Sequence, residues 1–290
     1  MTRKTETVLQ VIETRGREGK PLRRIYRELY KPELYELAYS RIYANAGATT
    51  KGTGEETLDG MSKKRIDKII QRIMTETYRW KPARRTYIPK GNGKSRPLGI
   101  PSGDDKLLQT AMTILLEAYY EPQFSETSHG FRPGKGCHTA LREISQKHAD
   151  TNWFIEGDIK GCFDNIDHET LIRILGKDVQ DGRFLNLVRR LLKAGYMENW
   201  QRYNTYSGTP QGGIISPLLA NIYLDKLDKW IESELLPEYN RSRYKIGGRG
   251  KCSHYQSLVD KRVEAKKRGR QRGIPTLRED DEATIICRTK

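Results

Sequence analysis

Apolar positions recur at helical spacing through much of the chain. Ile25, Tyr26, Leu29 and Tyr30 form one stripe, and Pro32 is well placed as the first residue of a second helix carrying Leu34, Tyr35, Leu37 and Ala38. Residues 44–60 break the pattern with Gly47, Gly52, Gly54 and several threonines, which predicts a mobile loop. An amphipathic helix follows, with Ile66, Ile69, Ile70, Ile73 and Met74 on a stripe ringed by Lys63, Lys64, Arg65, Lys68 and Arg72. That cationic face is open between plain solvation and contact with phosphate. A further stripe, Leu107, Leu108, Ala111, Ile114, Leu115 and Ala118, follows Asp104 and Asp105. Their charges suit the first turn of a helix, and that role is taken as their whole explanation. Helices are also predicted from about Cys137 and from Ser216, an N-cap with Pro217 as the first helical residue. In the latter, Leu219, Ile222, Tyr223, Leu227 and Trp230 trace a buried stripe.

Two shorter patterns read as strands. β-prone runs flank Gly91-Asn92-Gly93, a strong hairpin signal. Residues 153–159 alternate and end on a carboxylate. Pleating puts Asp158 on one face with Phe154 and Glu156, and sends Trp153, Ile155 and Ile159 into a core.

Charge changes the picture. The 290 residues carry 53 Lys+Arg against 37 Asp+Glu, a formal net charge of +16, which suits a polyanionic partner such as nucleic acid. A generally basic protein without chemistry of its own, as in a ribosome, is the plain alternative. No apolar run reaches the length of a membrane span. The amino terminus, with Glu6, Glu13 and Glu18, lacks the apolar core of a signal peptide. Cys137, Cys162, Cys252 and Cys287 form no C-x-x-C pair, so reduced thiols in an intracellular protein are expected and a zinc site is not.

Candidate chemistry gathers in four places. Lys90, Lys94 and Arg96 crowd the hairpin tip, where a phosphate contact is favoured over mere solvation. The loop Ser128-His-Gly-Phe-Arg-Pro-Gly-Lys-Gly136 lacks Walker spacing; His129 suits a structural hydrogen bond and Arg132 a phosphate clamp. Asp158, at a strand end before a Gly/Asn turn, suits Mg²⁺, which keeps much of its water and needs only one or two carboxylates. A helix cap or solvated turn is the alternative there. In Gly208-Thr-Pro-Gln-Gly-Gly-Ile-Ile-Ser-Pro-Leu-Leu-Ala-Asn-Ile222 the glycines permit close backbone approach to a flat ligand, and Gln211 can bond a base or sugar edge.

In order and wording these segments resemble the reverse transcriptases encoded by group II introns, the maturase family. Ile88-Pro-Lys with Arg96-Pro-Leu-Gly-Ile-Pro looks like the fingers hairpin. Gly130-Phe-Arg-Pro-Gly resembles the second block, residues 158–163 polymerase motif A, and residues 208–222 motif B. The resemblance implies an α+β fold, the right-hand fingers–palm of a reverse transcriptase with a helical N-terminal extension. Its divisions would be 1–60 (extension, RNA and template binding), 61–150 (fingers), 151–240 (palm) and 241–290 (basic insertion and tail). It implies that Asp158, helped by the carbonyl of Ile159, ligates Mg²⁺. Phe163 would lie under the sugar and exclude a 2′-OH; Lys90, Arg96 and, less surely, Arg84 would hold the triphosphate; Gln211 would line the nucleotide pocket. The implied partners are intron RNA, an RNA template with a DNA primer, and dNTP, in a bacterial cytoplasm or an organelle. Retron-type and CRISPR-linked reverse transcriptases share motifs A and B but fit the wording less well.

One departure matters. The family's motif C, Tyr-x-Asp-Asp, does not occur; Asp280-Asp281 is the sole later Asp pair and lacks the tyrosine. The chain is therefore expected to be an amino-terminal fragment, truncated before motif C and catalytically incomplete. The rival reading is a non-catalytic intron-RNA-binding cofactor. From 241 to 273 there are twelve Lys/Arg against two Asp/Glu, and Lys261, Arg262, Lys266, Lys267, Arg268, Arg270 and Arg272 are candidate RNA contacts in a basic loop. Residues 284–287 would cover the palm edge that truncation exposes, within the chain or in a homodimer.

Overall fold

The structure is a computed structural model and describes residues 4–89, 91, 93, 95–148, 156–209 and 212–239. Residues 1–232 form one compact unit and residues 233–290 a second. Of the latter, residues 233–239 are described: the end of a π-helical segment (Ile231–Leu235) and the short helix Leu236–Tyr239.

The first unit is organised around helix α4. In chain order its elements begin with α1 (Thr5–Arg17), β1 (Leu22–Arg23), α2 (Pro32–Ile42) and α3 (Lys63–Met74). The hairpin strands β2 (Ala83–Pro89) and β3 (Ser95–Ile100) lead into α4 (Gly103–Tyr120) and α5 (Cys137–Lys147). Then come α6 (Cys162–Asn165), α7 (His168–Asp178), β4 (Val179–Gln180) and α8 (Gly182–Leu192). A second hairpin, β5 (Tyr196–Glu198) and β6 (Gln201–Tyr203), precedes α9 (Ser216–Trp230). Helix α4 is apolar nearly all round, so it lies inside, between α1 and α2 on one flank and α9 on another. Ser102 caps it by accepting from the Asp105 amide.

One four-stranded sheet, ordered β3-β2-β5-β6, stands beside this core. β2 and β3 pair antiparallel from Arg84↔Ile100 to Pro89↔Ser95, so Gly91 and Gly93 turn the tip as predicted. β5 adds parallel to β2, with Ala83 opposite Tyr196. A separate two-residue parallel pairing joins β1 to β4, Leu22 opposite Val179.

Several expectations are corrected. Ile25–Tyr30 is a 3₁₀ segment rather than an α-helix. Residues 44–60 form a loop, but a tethered one. Ala48 and Leu58 are buried, and Lys106 Nζ donates to the carbonyls of Gly47 and Thr50 at 2.8 Å each. Met74 lies on the last turn of α3, past the end of the core, and is exposed. α9 starts at Ser216 with Ile215 at its N-cap, one residue earlier than expected. Leu219 and Ile222 are buried, whereas Leu227 and Trp230 are exposed; in the second half of α9 it is Asp225 that faces inward. The strand expected over 153–159 is not formed where it is described. Residues 153–155 lie outside the described residues; 156–159 have no strand partner, and Ile159 is 52% exposed instead of buried.

Asp105 is more than a helix-dipole charge. It is buried, and its carboxylate accepts from Tyr78 Oη (2.8 Å), Ser102 Oγ (2.8 Å) and the Lys81 amide (3.2 Å). This pins the segment leading to β2 onto the start of α4. Asp104 pairs with Arg65 of α3 at 2.5 Å.

Candidate active site

Asp158 and Ile159 are exposed at the start of a tight turn. Gly161 takes the left-handed conformation (φ 61°), and the Asn165 side chain closes the turn on the carbonyls of Lys160 and Gly161. The carboxylate of Asp158 lies near enough to Cys162 to act on it. Burial, and after it the Asp158 charge, pushes the Cys162 thiol above its ordinary range. Phe163 is half-buried, and its ring meets Phe131 edge to face, 6.2 Å between centroids.

This turn is locked to the loop before α9. The Gly208 amide donates to Ile166 O at 2.8 Å, and the Thr209 amide to Phe163 O at 2.7 Å. Ser207 Oγ adds a bond to Asp164 O at 2.9 Å. Buried His168 faces the Gly208 carbonyl at 2.7 Å from its Nε2. A carbonyl only accepts, so Nε2 carries the proton. Gly208 has φ +83°, and a Cβ there would stand 2.6 Å from Phe163 O. Only glycine allows so close an approach.

Residues 212–214 lie against β3 and α4. Gly212 (φ +93°) lies against the Gly99 carbonyl and the Leu98 side chain, and the Ile214 amide donates to Gln109 Oε1 at 3.0 Å. Asn221 of α9 donates to Gly130 O at 2.8 Å. A cavity of about 290 Å³ remains between this loop, β3 and residues 42–58, with buried Lys106 in its wall.

The structure thus gathers Asp158, Phe163, the 207–214 loop and β3. Arg96 is exposed on β3 opposite Ile88. The Arg84 guanidinium binds the Lys51 carbonyl (3.0 and 2.9 Å), tying β2 to the preceding loop. Lys90, Gln211 and the basic residues from Lys261 to Arg272 lie outside the described residues. Arg132 is corrected from a phosphate clamp to an internal brace. It is buried, pairs with Glu121 and donates to the carbonyls of Ser125 and Ser128. His129 is the structural hydrogen-bonder expected, between Thr139 (2.8 Å) and Glu143 (3.0 Å). Sequence reasoning missed Gln109, His168, Asn221 and Phe131, which position the site from a distance. Gln109 left one trace, a polar residue within an apolar stripe.

Among the described residues, no three His, Cys, Asp or Glu side chains group to hold a metal ion. Asp158 offers one exposed carboxylate, enough for a divalent ion whose other ligands are water and substrate phosphates. No described helix is long and apolar enough to cross a membrane.

Residues 88–255 match the reverse transcriptase (RNA-dependent DNA polymerase) family, and the chain belongs to it. It is 55% identical over 209 residues to the group II intron-encoded protein LtrA of Lactococcus lactis subsp. cremoris, covering 72% of this chain and 35% of that protein. It is 49% identical over 215 residues to an uncharacterized 91 kDa protein in a cob intron of Schizosaccharomyces pombe, covering 72% of this chain and 26% of that one. A chain of a solved partial Cas6-RT-Cas1–Cas2 complex aligns with a TM-score of 0.49 at 22% identity, over 72% of this chain and 35% of that one. The chain therefore spans about a third of the Lactococcus relative's length and about a quarter of the fission-yeast one's.

Proposed function

We propose that this chain carries the fingers and part of the palm of a group II intron-encoded reverse transcriptase. The whole protein copies RNA into DNA from a primer and assists splicing of its own intron RNA. The observation that carries the reading is the bonded junction of residues 163–166 with residues 207–209. It brings the turn that follows Asp158 against residues 207–209, while the Phe163 ring meets Phe131.

In this reading Asp158 and the Ile159 carbonyl hold a divalent ion, taken as Mg²⁺. When bound, the ion supplies charge neutralisation for the attacking and leaving oxygens of phosphoryl transfer. Arg96, Lys90 and Arg84 neutralise the triphosphate, Gln211 lines the base pocket and Phe163 bears on the sugar. Residues 261–272 contact RNA phosphate. The site lies in a cytoplasm or organelle matrix with access to intron transcripts.

Primer extension tests this. Residues 1–290 lack Tyr-x-Asp-Asp and are expected to bind RNA without extending a primer. A protein continuing through that motif and the thumb is expected to incorporate dNTP and to lose that activity on Asp158→Asn. Incorporation by residues 1–290 alone, abolished by Asp281→Asn, would instead make Asp280-Asp281 the second carboxylate site. Absence of Tyr-x-Asp-Asp from the full gene would favour the non-catalytic RNA cofactor.

A further inference from the structure

The four-stranded sheet has two unlike faces. Leu98 and Ile100 line the cavity behind the 207–214 loop, on the side of the candidate active site. Side chains alternate along a strand, so Arg85 and Tyr87 of β2 stand on the opposite face. Tyr196 and Glu198 of β5 and Tyr203 of β6 join them there. Tyr87 Oη donates to Glu198 at 2.5 Å. The Arg85 guanidinium lies 3.4 Å from the centroid of the Tyr196 ring, which stacks on Tyr203 at 5.1 Å and 14°. Three flat groups thus stand in a row across three strands. The row ends at Tyr203, 40% exposed on the edge strand, with no described ring stacked beyond it.

The tip of the same hairpin is unusual. Asn199 and Trp200 both have left-handed backbones (φ 49° and 65°), the pattern of a tight hairpin turn whose second position favours glycine. Tryptophan occupies it instead, at an energetic cost, and is 94% exposed. Tyr206, just beyond β6, is 86% exposed. Packing among the described residues explains neither ring.

We propose that this outer sheet face and the Trp200 tip form a stacking platform for unpaired nucleotides of single-stranded nucleic acid. The rings are tyrosines and a tryptophan rather than aliphatic anchors, which suits a flat ligand with polar edges. An arginine closes the inner end of the row, and a net charge of +16 draws in a polyanion. Stacking tolerates any sequence because every base has a π-face. The platform goes beyond the polymerase reading, since it uses neither Asp158 nor the groove beside Phe163.

The test measures binding of the 290-residue chain to a labelled 12-nucleotide RNA, the same sequence as DNA, and a blunt RNA duplex of equal length. Trp200→Ala and Tyr203→Ala should each weaken single-strand binding roughly ten-fold, within the range measured for losing one stacked base. Duplex affinity and the salt slope should stay unchanged, because no cation is lost. Tyr203→Phe should bind as the wild type. Trp200→Gly suits the turn, so it should fold at least as well and still lose affinity, which separates stacking from misfolding. The ribose and deoxyribose arms identify which strand is preferred. Equal losses on duplex and single strand, no loss in any variant, or a change of oligomeric state with Trp200→Gly would overturn the platform. Primer extension failing in the longer protein would count against the polymerase reading alone.

Discussion

Phe163 is held in place by its neighbours. Its backbone carbonyl is held by Thr209 and its ring by Phe131, so the ring's position is set from two sides. In a protein continuing through motif C, Phe163→Ala should admit ribonucleotides, with a loss of discrimination of at least about 1–3 kcal/mol. Phe131→Ala should move selectivity the same way by less, because it loosens the ring without removing it. Competition between dNTP and NTP in single-turnover incorporation measures both, and unchanged ratios would remove the steric role. Asp105 offers a prediction on stability. Burial raises its pKa from an ordinary 3.8 to about 6, against the opposing hydrogen bonds from Ser102, Tyr78 and Lys81. The folded state therefore keeps this proton to higher pH than the unfolded chain. Stability from this group is greatest below pH 4 and falls as pH rises toward 6, by about 3 kcal/mol in order of magnitude. Asp105→Asn should flatten the wild type's decline between pH 4 and pH 6.5 in denaturant titrations.

Among the elements, long amphipathic helices were legible and short, context-made ones were not. α3 and α4 follow from apolar spacing, and the β2–β3 hairpin from Gly91-Asn92-Gly93 between β-prone arms. Helix α6, of four residues, and the two-residue strands β1 and β4 carry no periodicity that could announce them. The Asp158 turn and the glycine-rich loop were each readable alone. Their union was not, because His168 and Gln109 act across 40 and 105 residues of chain. Gly208 is where that union is most sensitive. Gly208→Ala forces a left-handed alanine against Phe163 O and should cost more than about 2 kcal/mol while disordering the groove. Gly182→Ala, whose Cβ meets nothing within 4 Å, should be near neutral. Thermal melts of the pair give the comparison, and equal destabilisation would show that the junction is not tight.

At the scale of the molecule, charge and topology act separately. In the proposed reading the excess of Lys and Arg sets affinity for nucleic acid, and deleting residues 261–272 should flatten its salt dependence. Each lost phosphate contact should remove nearly one unit of log–log slope for a duplex and less for a single strand. An unchanged slope would make that run a solvated loop. Topology sets a different limit. Arg23 bonds Gln180 across 157 residues, and Asp181 accepts from the buried Tyr26 amide. The amino-terminal segment therefore has no completed seat when it leaves the ribosome. At about 5–20 residues per second, its docking strand arrives roughly ten to thirty seconds later. Nascent chains stalled before residue 180 should therefore leave the 22–30 segment open to protease, although α1 and α2 can already pack on α4.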